Sequence, residues 1–205
     1  MEQILEKLFE STAKARILRL FMRNPEDRFG FEQIVSRSQV RARNCRTELK
    51  KLVRLGLVNS GTERVELPKK RRGRARFRKV LVYGANTQFM AFRELRDLIA
   101  RASTAPRKKI FRELHGLGRV KLAVLSGIFI NNSENARTDL LVVGDNINKR
   151  RFSAFLSNTE SELGKSVRYT LMDADEFKYR RNMYDRFLRD ILEYPHEKLI
   201  NKLGL

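Results

Sequence analysis

The sequence is poor in residues that cross-link a fold: one cysteine, Cys45, and two histidines, His115 and His196, among 205 residues. A lone thiol excludes an internal disulfide, and these three side chains are too few for a structural zinc site. No metal and no cofactor are therefore expected, and a reducing cytoplasm is the compartment that fits. Long apolar runs are also missing, none approaching the roughly 20 residues that span a bilayer. The opening MEQILEKLFES mixes acids with apolar residues where a secretion signal would place a basic and then an apolar segment, so export and membrane insertion are not expected. Acid is scarce too, with 24 Asp and Glu against 44 Lys and Arg, a formal net charge of +20. Such an excess seeks a polyanion. The 41% of hydrophobic residues still suffices for a core, in one large domain or two modest ones.

The charge is uneven, which matters because a basic patch specifies a partner where a uniformly basic surface only raises solubility. Residues 1 to 86 hold 22 basic and 9 acidic side chains, a net of +13; the remainder holds 22 and 15, a net of +7. The excess concentrates in RARNCR, from Arg41 to Arg46, and KKRRGRARFRK, from Lys69 to Lys79. Those segments are the candidates for nucleic-acid contact.

Along the first segment, Ile4, Leu5, Leu8 and Phe9 make a short amphipathic turn, and Ser11 or Thr12 offers an N-cap for a helix carrying Ile17, Leu18 and Phe21 on one face. Pro25 ends it. Phe31, Ile34 and Val35 fit a second helix, and after a polar turn at Ser38 and Gln39 a buried Val40 introduces a third. The apolar positions of that third helix are Cys45, Leu49, Leu52 and Val53, with Gly56 where a left-handed cap commonly stops a helix. Its other face carries Arg43, Asn44, Arg46, Thr47, Lys50 and Lys51. Cys45 on the apolar stripe reads as core, the alternative being a redox-active thiol with a lowered pKa beside arginines. Beyond Gly56 the period becomes roughly alternating, in LVNSGTERVEL and again in FRKVLVYG, with Pro68 and Gly73 between them. This reads as a hairpin with a cationic tip.

Three helices followed by such a hairpin resemble the winged helix-turn-helix of prokaryotic transcription regulators. The segment SRSQVRARNCRTELKKLVRLGLV looks like that family's turn, recognition helix and exit strand, and the resemblance covers residues 1–85. It implies double-stranded DNA as partner. In a major groove Arg reads guanine bidentately and Asn reads adenine, while hairpin cations neutralise phosphates or enter a narrow minor groove. Base reading is accordingly assigned to Arg43, Asn44 and Thr47. Phosphate contact is assigned to Arg41, Arg46, Lys50 and Lys51, and on the wing to Lys69, Lys70, Arg71, Arg72, Arg74 and Arg76. The plain alternative is a solvated helix face beside a flexible basic loop.

From Asn86 the pattern changes. NTQFMAFRELRDLIARA reads as a helix with Phe89, Phe92, Leu95 and Leu98 inward, a connector over 86–116 completed by RKKIFRELHGL. Strand-like runs follow at RVKLAVLS, DLLVVGD and VRYTLM, with helical segments between and after them, an α/β domain over 117–205. This order resembles the minimal nucleotidyltransferase domain that some regulators of bacteria and archaea carry behind a winged helix. Active members bear Gly-Ser after the first strand, two carboxylates one residue apart opening the second, and often a third on a later strand. Two magnesium ions about 4 Å apart need bridging carboxylates, and the small loop cradles the triphosphate.

Here Gly127 is followed by Ile128, the pair has become Arg137, Thr138, Asp139, and Arg168 and Tyr169 stand where the third acid would be. Asp145 lies beyond its strand, and Asp173 and Asp175 read as helix N-caps. The resemblance therefore implies a degenerate transferase with no catalytic residues. Its vestigial nucleotide site would be Gly127, Arg137 and Asp139, kept for homodimer formation or for sensing an anionic small-molecule effector that Arg137 could pair with. His115 reads as a capping or surface histidine rather than a general base. The expectation for the whole chain is an α+β multidomain protein: an amino-terminal winged helix, a connector helix, and a carboxy-terminal α/β nucleotidyltransferase-like domain, acting as a DNA-binding transcription regulator. The rivals are a working, antitoxin-like nucleotidyltransferase tethered by a winged helix, and a basic RNA-binding protein.

Overall fold

The computed structural model describes residues 4–67, 76–102, 107–130 and 136–205. The chain divides into two units, Met1–Ser103 with Ser161–Lys165, and Thr104–Glu160 with Ser166–Leu205. Both mix helices with a sheet, so the fold is α+β. Among the described residues no helix is long and apolar enough to cross a membrane.

In the first unit, helix α1 spans Ile4–Leu8 and α2 spans Thr12–Arg23. Ser11 is the cap of α2, its hydroxyl accepting from the Lys14 N–H at 3.1 Å, which satisfies one of the four donors a helix start leaves unpaired. The helix is buried on more than the expected stripe: Leu20 and Met22 join Ile17, Leu18 and Phe21 in the core, because α2 packs against three later helices as well as α1. A three-residue strand β1, Arg28–Gly30, precedes α3, Phe31–Ser38. Gln39, in the left-handed region at φ 51°, turns the chain, buried Val40 follows, and α4 runs Ala42–Arg54.

On α4 the residues Cys45, Leu49 and Leu52 are buried and Val53 is half-buried. Gly56 stops the helix at φ 73°. Its N–H donates to the Val53 carbonyl at 3.0 Å and the Leu57 N–H to the Leu52 carbonyl at 3.0 Å, the bond pair of a Schellman cap that any residue with a Cβ would strain. Strands β2, Val58–Leu67, and β3, Arg76–Ala85, then pair antiparallel, and β1 adds to the other edge of β3, giving the order β1-β3-β2.

Helix α5, Phe92–Ala102, belongs to the first core through Phe92 and Ile99, with Leu95 packed against it. Leu98, expected to face inward, is exposed. A helix beginning at Phe92 brings positions 95 and 99 to the same side, and 98 falls one residue off that line.

The second unit opens with α6, Arg107–His115, then β4, Arg119–Leu125, and a single 3₁₀ turn at Gly127–Phe129. Strand β5, Leu140–Asp145, is followed by α7, Lys149–Leu163, and β6, Tyr169–Met172. Helices α8, Ala174–Asn182, and α9, Arg186–Glu193, lead to β7, Glu197–Asn201. The sheet order is β6-β5-β4-β7, with β5 and β6 parallel across α7 and the other pairs antiparallel. Strand β5 is buried from Leu140 to Gly144, the continuous apolar run of a strand covered on both faces. Asp173 caps α8 by accepting from the Glu176 N–H at 2.7 Å. Asp175, read as a second cap, instead lies inside the first turn of α8.

Candidate nucleic-acid interface and the Gly127–Asp139 site

Because α4 buries only Cys45, Glu48, Leu49 and Leu52, it leaves Arg41, Arg43, Asn44, Arg46, Thr47, Lys50 and Lys51 exposed. Among the described residues the side chains of Arg43, Asn44 and Lys50 make no ion pair or hydrogen bond. Thr47 donates its hydroxyl to the Arg43 carbonyl at 3.2 Å, so its lone pairs face outward while its proton is spent within the helix. Lys51 is less free than expected: its ammonium bonds Glu48 at 2.9 Å, and Lys14 approaches the other oxygen of that carboxylate at 3.9 Å. Glu48 thus enters the apolar side of α4 with a lysine on each oxygen; Lys51 is its i,i+3 neighbour on the same helix, while the approach of Lys14 from α2 is invisible in the helical pattern.

Arg46 is held without an acid. Its guanidinium carbon lies 5.1 Å from the Phe31 ring centre, and Arg37 sits in the same way 5.1 Å from Phe29. Stacking on a ring orients a guanidinium while leaving its N–H groups free to donate. Arg37 was absent from the sequence-derived set; the only signal was an arginine late in a helix that follows the FGF run.

The wing assignments Lys69, Lys70, Arg71, Arg72 and Arg74 lie outside the described residues, and Arg76 is described as backbone only, opening β3 opposite Leu67. The described part of the hairpin is itself cationic. Arg64 on β2 stands directly across from Lys79 on β3, and Arg78 across from Val65, all four exposed. Like charges directly opposed on a ladder repel, so Arg64 and Lys79 form a site that an anion would relieve. On the same face Phe77 and Leu81 flank Lys79, and both are exposed.

In the second unit, Gly127 and Asp139 meet. The turn after β4 takes Gly127 to φ 53°, and a Cβ there would fall 2.0 Å from Oδ1 of Asp139, so only glycine fits. Asp139 is 1% exposed. Its Oδ1 accepts from the Ile128 N–H at 3.0 Å and from Arg168 Nη2 at 3.2 Å, and its Oδ2 from the Arg168 N–H at 2.9 Å and Arg168 Nε at 3.1 Å. The carboxylate is fully used inside the protein. The same bonds raise the Arg168 pKa above the ordinary arginine value, against a smaller opposing effect of burial.

Arg137 is not part of this cluster. Its Nε donates to Asp190 on α9 at 2.5 Å, so the anion it meets is a side chain of its own unit. Arg168 is the residue the sequence-derived site lacked, 29 positions beyond Asp139 and joined to it only through the parallel pairing of β5 with β6. No family model, curated protein or solved structure matches the chain. Among the described residues no group of three or more His, Cys, Asp or Glu side chains is placed to hold a metal ion.

Cys45, the only cysteine, is fully buried. Burial pushes its pKa up to about 11, Arg46 opposing only in part. A thiolate nucleophile or redox switch needs the reverse.

Proposed function

We propose that this chain is a sequence-specific double-stranded DNA-binding transcription regulator whose first unit acts as a winged helix-turn-helix. In this reading α3 and α4 are the helix pair, α4 enters the major groove, and the β2–β3 hairpin is the wing. The observation that carries it is the exposed edge of α4, where Arg43, Asn44 and Lys50 have no partner among the described residues while the opposite edge is locked into the core. Arg43 has the donor fork for guanine and Asn44 the donor and acceptor for adenine. Arg46, oriented on Phe31, and the Arg64–Lys79 pair supply sequence-independent phosphate attraction.

The second unit, in the same reading, is a nucleotidyltransferase-like fold without the transfer chemistry. The support is the use of Asp139 by Arg168: a carboxylate already accepting four hydrogen bonds, two from a cation, has no lone pair directed at magnesium.

Selection of duplexes from a random pool by the full chain tests the DNA reading. A recovered motif, with Arg43→Ala or Asn44→Ala losing ~1–3 kcal/mol on it and relaxing preference at one base pair, is the expected outcome. Equal losses on the motif and on unrelated duplex would end the base-reading assignment. Preference for structured RNA in competition would end the DNA reading. Nucleotide transfer with magnesium and a nucleoside triphosphate, lost in Asp139→Ala, would overturn the account of the second unit.

A further inference from the structure

The second unit carries a cationic surface at the end of its sheet remote from Gly127. Strand β4 starts there, at Arg119, and Gly127 follows its other end. Three backbone segments meet at that start. The Asn148 N–H donates to the Leu117 carbonyl at 2.9 Å and Arg151 Nη1 to the Gly116 carbonyl at 3.2 Å, tying the loop before β4 to the start of α7. Gly118 packs so closely on Asn146 that a Cβ would lie 2.6 Å from its carbonyl oxygen. The Lys202 N–H donates to the Lys121 carbonyl at 2.8 Å, adding the residue after β7.

These segments bring Arg119, Lys149, Arg150, Arg151 and Lys202 to one region, every one exposed. The acid among them is Asp145, opposite Arg119 in the β4–β5 register, and it is already bonded by Lys121 at 2.6 Å and by the Ala174 N–H at 3.2 Å. Asp173 and Asp175, at the start of α8, bound the region on the β6 side. Lys149 and Arg150 have no ion pair among the described residues. None of the three segments contributes an exposed large hydrophobic side chain. Membrane-surface binding would call for apolar residues to insert beside the charge; a surface of cations alone matches hydrated phosphates. Adjacent cations destabilise a fold unless a counter-charge meets them.

We propose that the surface formed by Arg119, Lys149, Arg150 and Lys202 is a second phosphate-binding face, which contacts the backbone of duplex DNA independently of α4. The identity of the polyanion as DNA rests on the function proposed above; the phosphate chemistry does not. Contacts to phosphate alone add affinity without sequence preference.

The test is a salt titration of duplex binding by the full chain, followed by fluorescence anisotropy. Arg119→Gln/Lys149→Gln/Arg150→Gln is compared with wild type, with an α4 variant (Arg43→Ala/Asn44→Ala/Lys50→Ala), and with the charge-preserving Arg119→Lys/Lys149→Arg/Arg150→Lys. Three lost phosphate contacts flatten the log–log salt dependence by about 2–3 units, since each contributes roughly 0.9. The charge-preserving variant restores the wild-type slope, separating charge from damage to the fold. An unchanged slope in the glutamine variant overturns the inference whatever the α4 variant does. A flattened slope there, with no effect of the α4 variant, upholds this face and sinks the α4 reading. Anionic phosphatidylserine vesicles bound by wild type but not by the glutamine variant, with duplex binding unchanged, would reassign the face to a membrane and overturn it for DNA.

Discussion

Arg168 holds Asp139 twice over, its backbone N–H 2.9 Å and its Nε 3.1 Å from the same carboxylate oxygen. Asp139 in turn anchors the turn after β4 by accepting from Ile128, so one buried carboxylate ties β4, β5 and the start of β6 together. Asp139→Ala should cost ~2–4 kcal/mol in urea unfolding, from two stranded backbone donors and a lost charge-assisted pair. The half-exposed Arg168 side chain can rehydrate, which keeps the loss below that of a fully buried pair. Unchanged stability would show that the pair does not hold the fold.

Gly127→Ala meets two penalties. The left-handed backbone costs roughly 1–2 kcal/mol for a residue with a Cβ, and the new methyl displaces the Asp139 carboxylate. The two substitutions should therefore be non-additive: in an Asp139→Ala background, Gly127→Ala should cost less than in wild type, keeping the backbone strain and the close approach to the Ala136 methyl at 3.1 Å but losing the clash with the carboxylate. A double-mutant cycle measures the difference, and additivity would contradict the contact.

Cys45 makes a pH prediction. Its folded pKa of about 11 lies above the ordinary value of 9.0, so the unfolded chain releases the thiol proton first. Stability from this group is intact below pH 9 and declines as pH rises towards 11. Cys45→Ala should remove that part of the alkaline decline, measured by urea unfolding across that range. At pH 8 the buried thiol stays protonated, so a thiol-specific reagent should label the native protein far more slowly than the unfolded one. Fast native labelling would refute the burial argument.

Arg64 and Lys79 face each other on the hairpin, and their repulsion predicts opposite effects on stability and binding. Arg64→Gln should stabilise the free protein by ~0.2–1 kcal/mol and flatten the salt dependence of DNA binding by about one unit. Thermal unfolding and anisotropy read the two separately. A weaker fold would refute the repulsion, and an unchanged salt slope would count against the phosphate role.

Phe31 orients Arg46. Phe31→Leu keeps an apolar side chain beside α4 and removes the stacking partner, so binding should weaken by ~0.5–1 kcal/mol on every duplex alike. Loss confined to one base pair would mean that Arg46 reads sequence.

The helices were the most legible part of the chain. Ser11, Gln39 and Gly56 act through the backbone beside them, so the ends of α2, α3 and α4 could be read from a few neighbouring letters. Strand β1 could not: three residues carry no period, and Arg28–Gly30 is a strand only because β3 offers its free edge. Strand β7 was hidden in the same way within a run read as a helical tail. Leu98 and Ile99 differ by one position on α5, and which faces inward depends on where the helix begins and what it packs against.

By itself the sequence determined what short-range chemistry can dictate: caps, apolar periods, the uneven placement of charge, and the exposure of Arg43, Asn44 and Lys50 that follows from burying Cys45 and Leu49. Tertiary structure decided how distant charges are matched. Arg168 closes on Asp139, Arg137 turns to Asp190, Lys14 approaches Glu48, and Lys121 bonds Asp145 because strand pairing and helix packing bring together residues far apart in the chain. A charge constrains its partner through distance in space, and linear order carries almost none of that information.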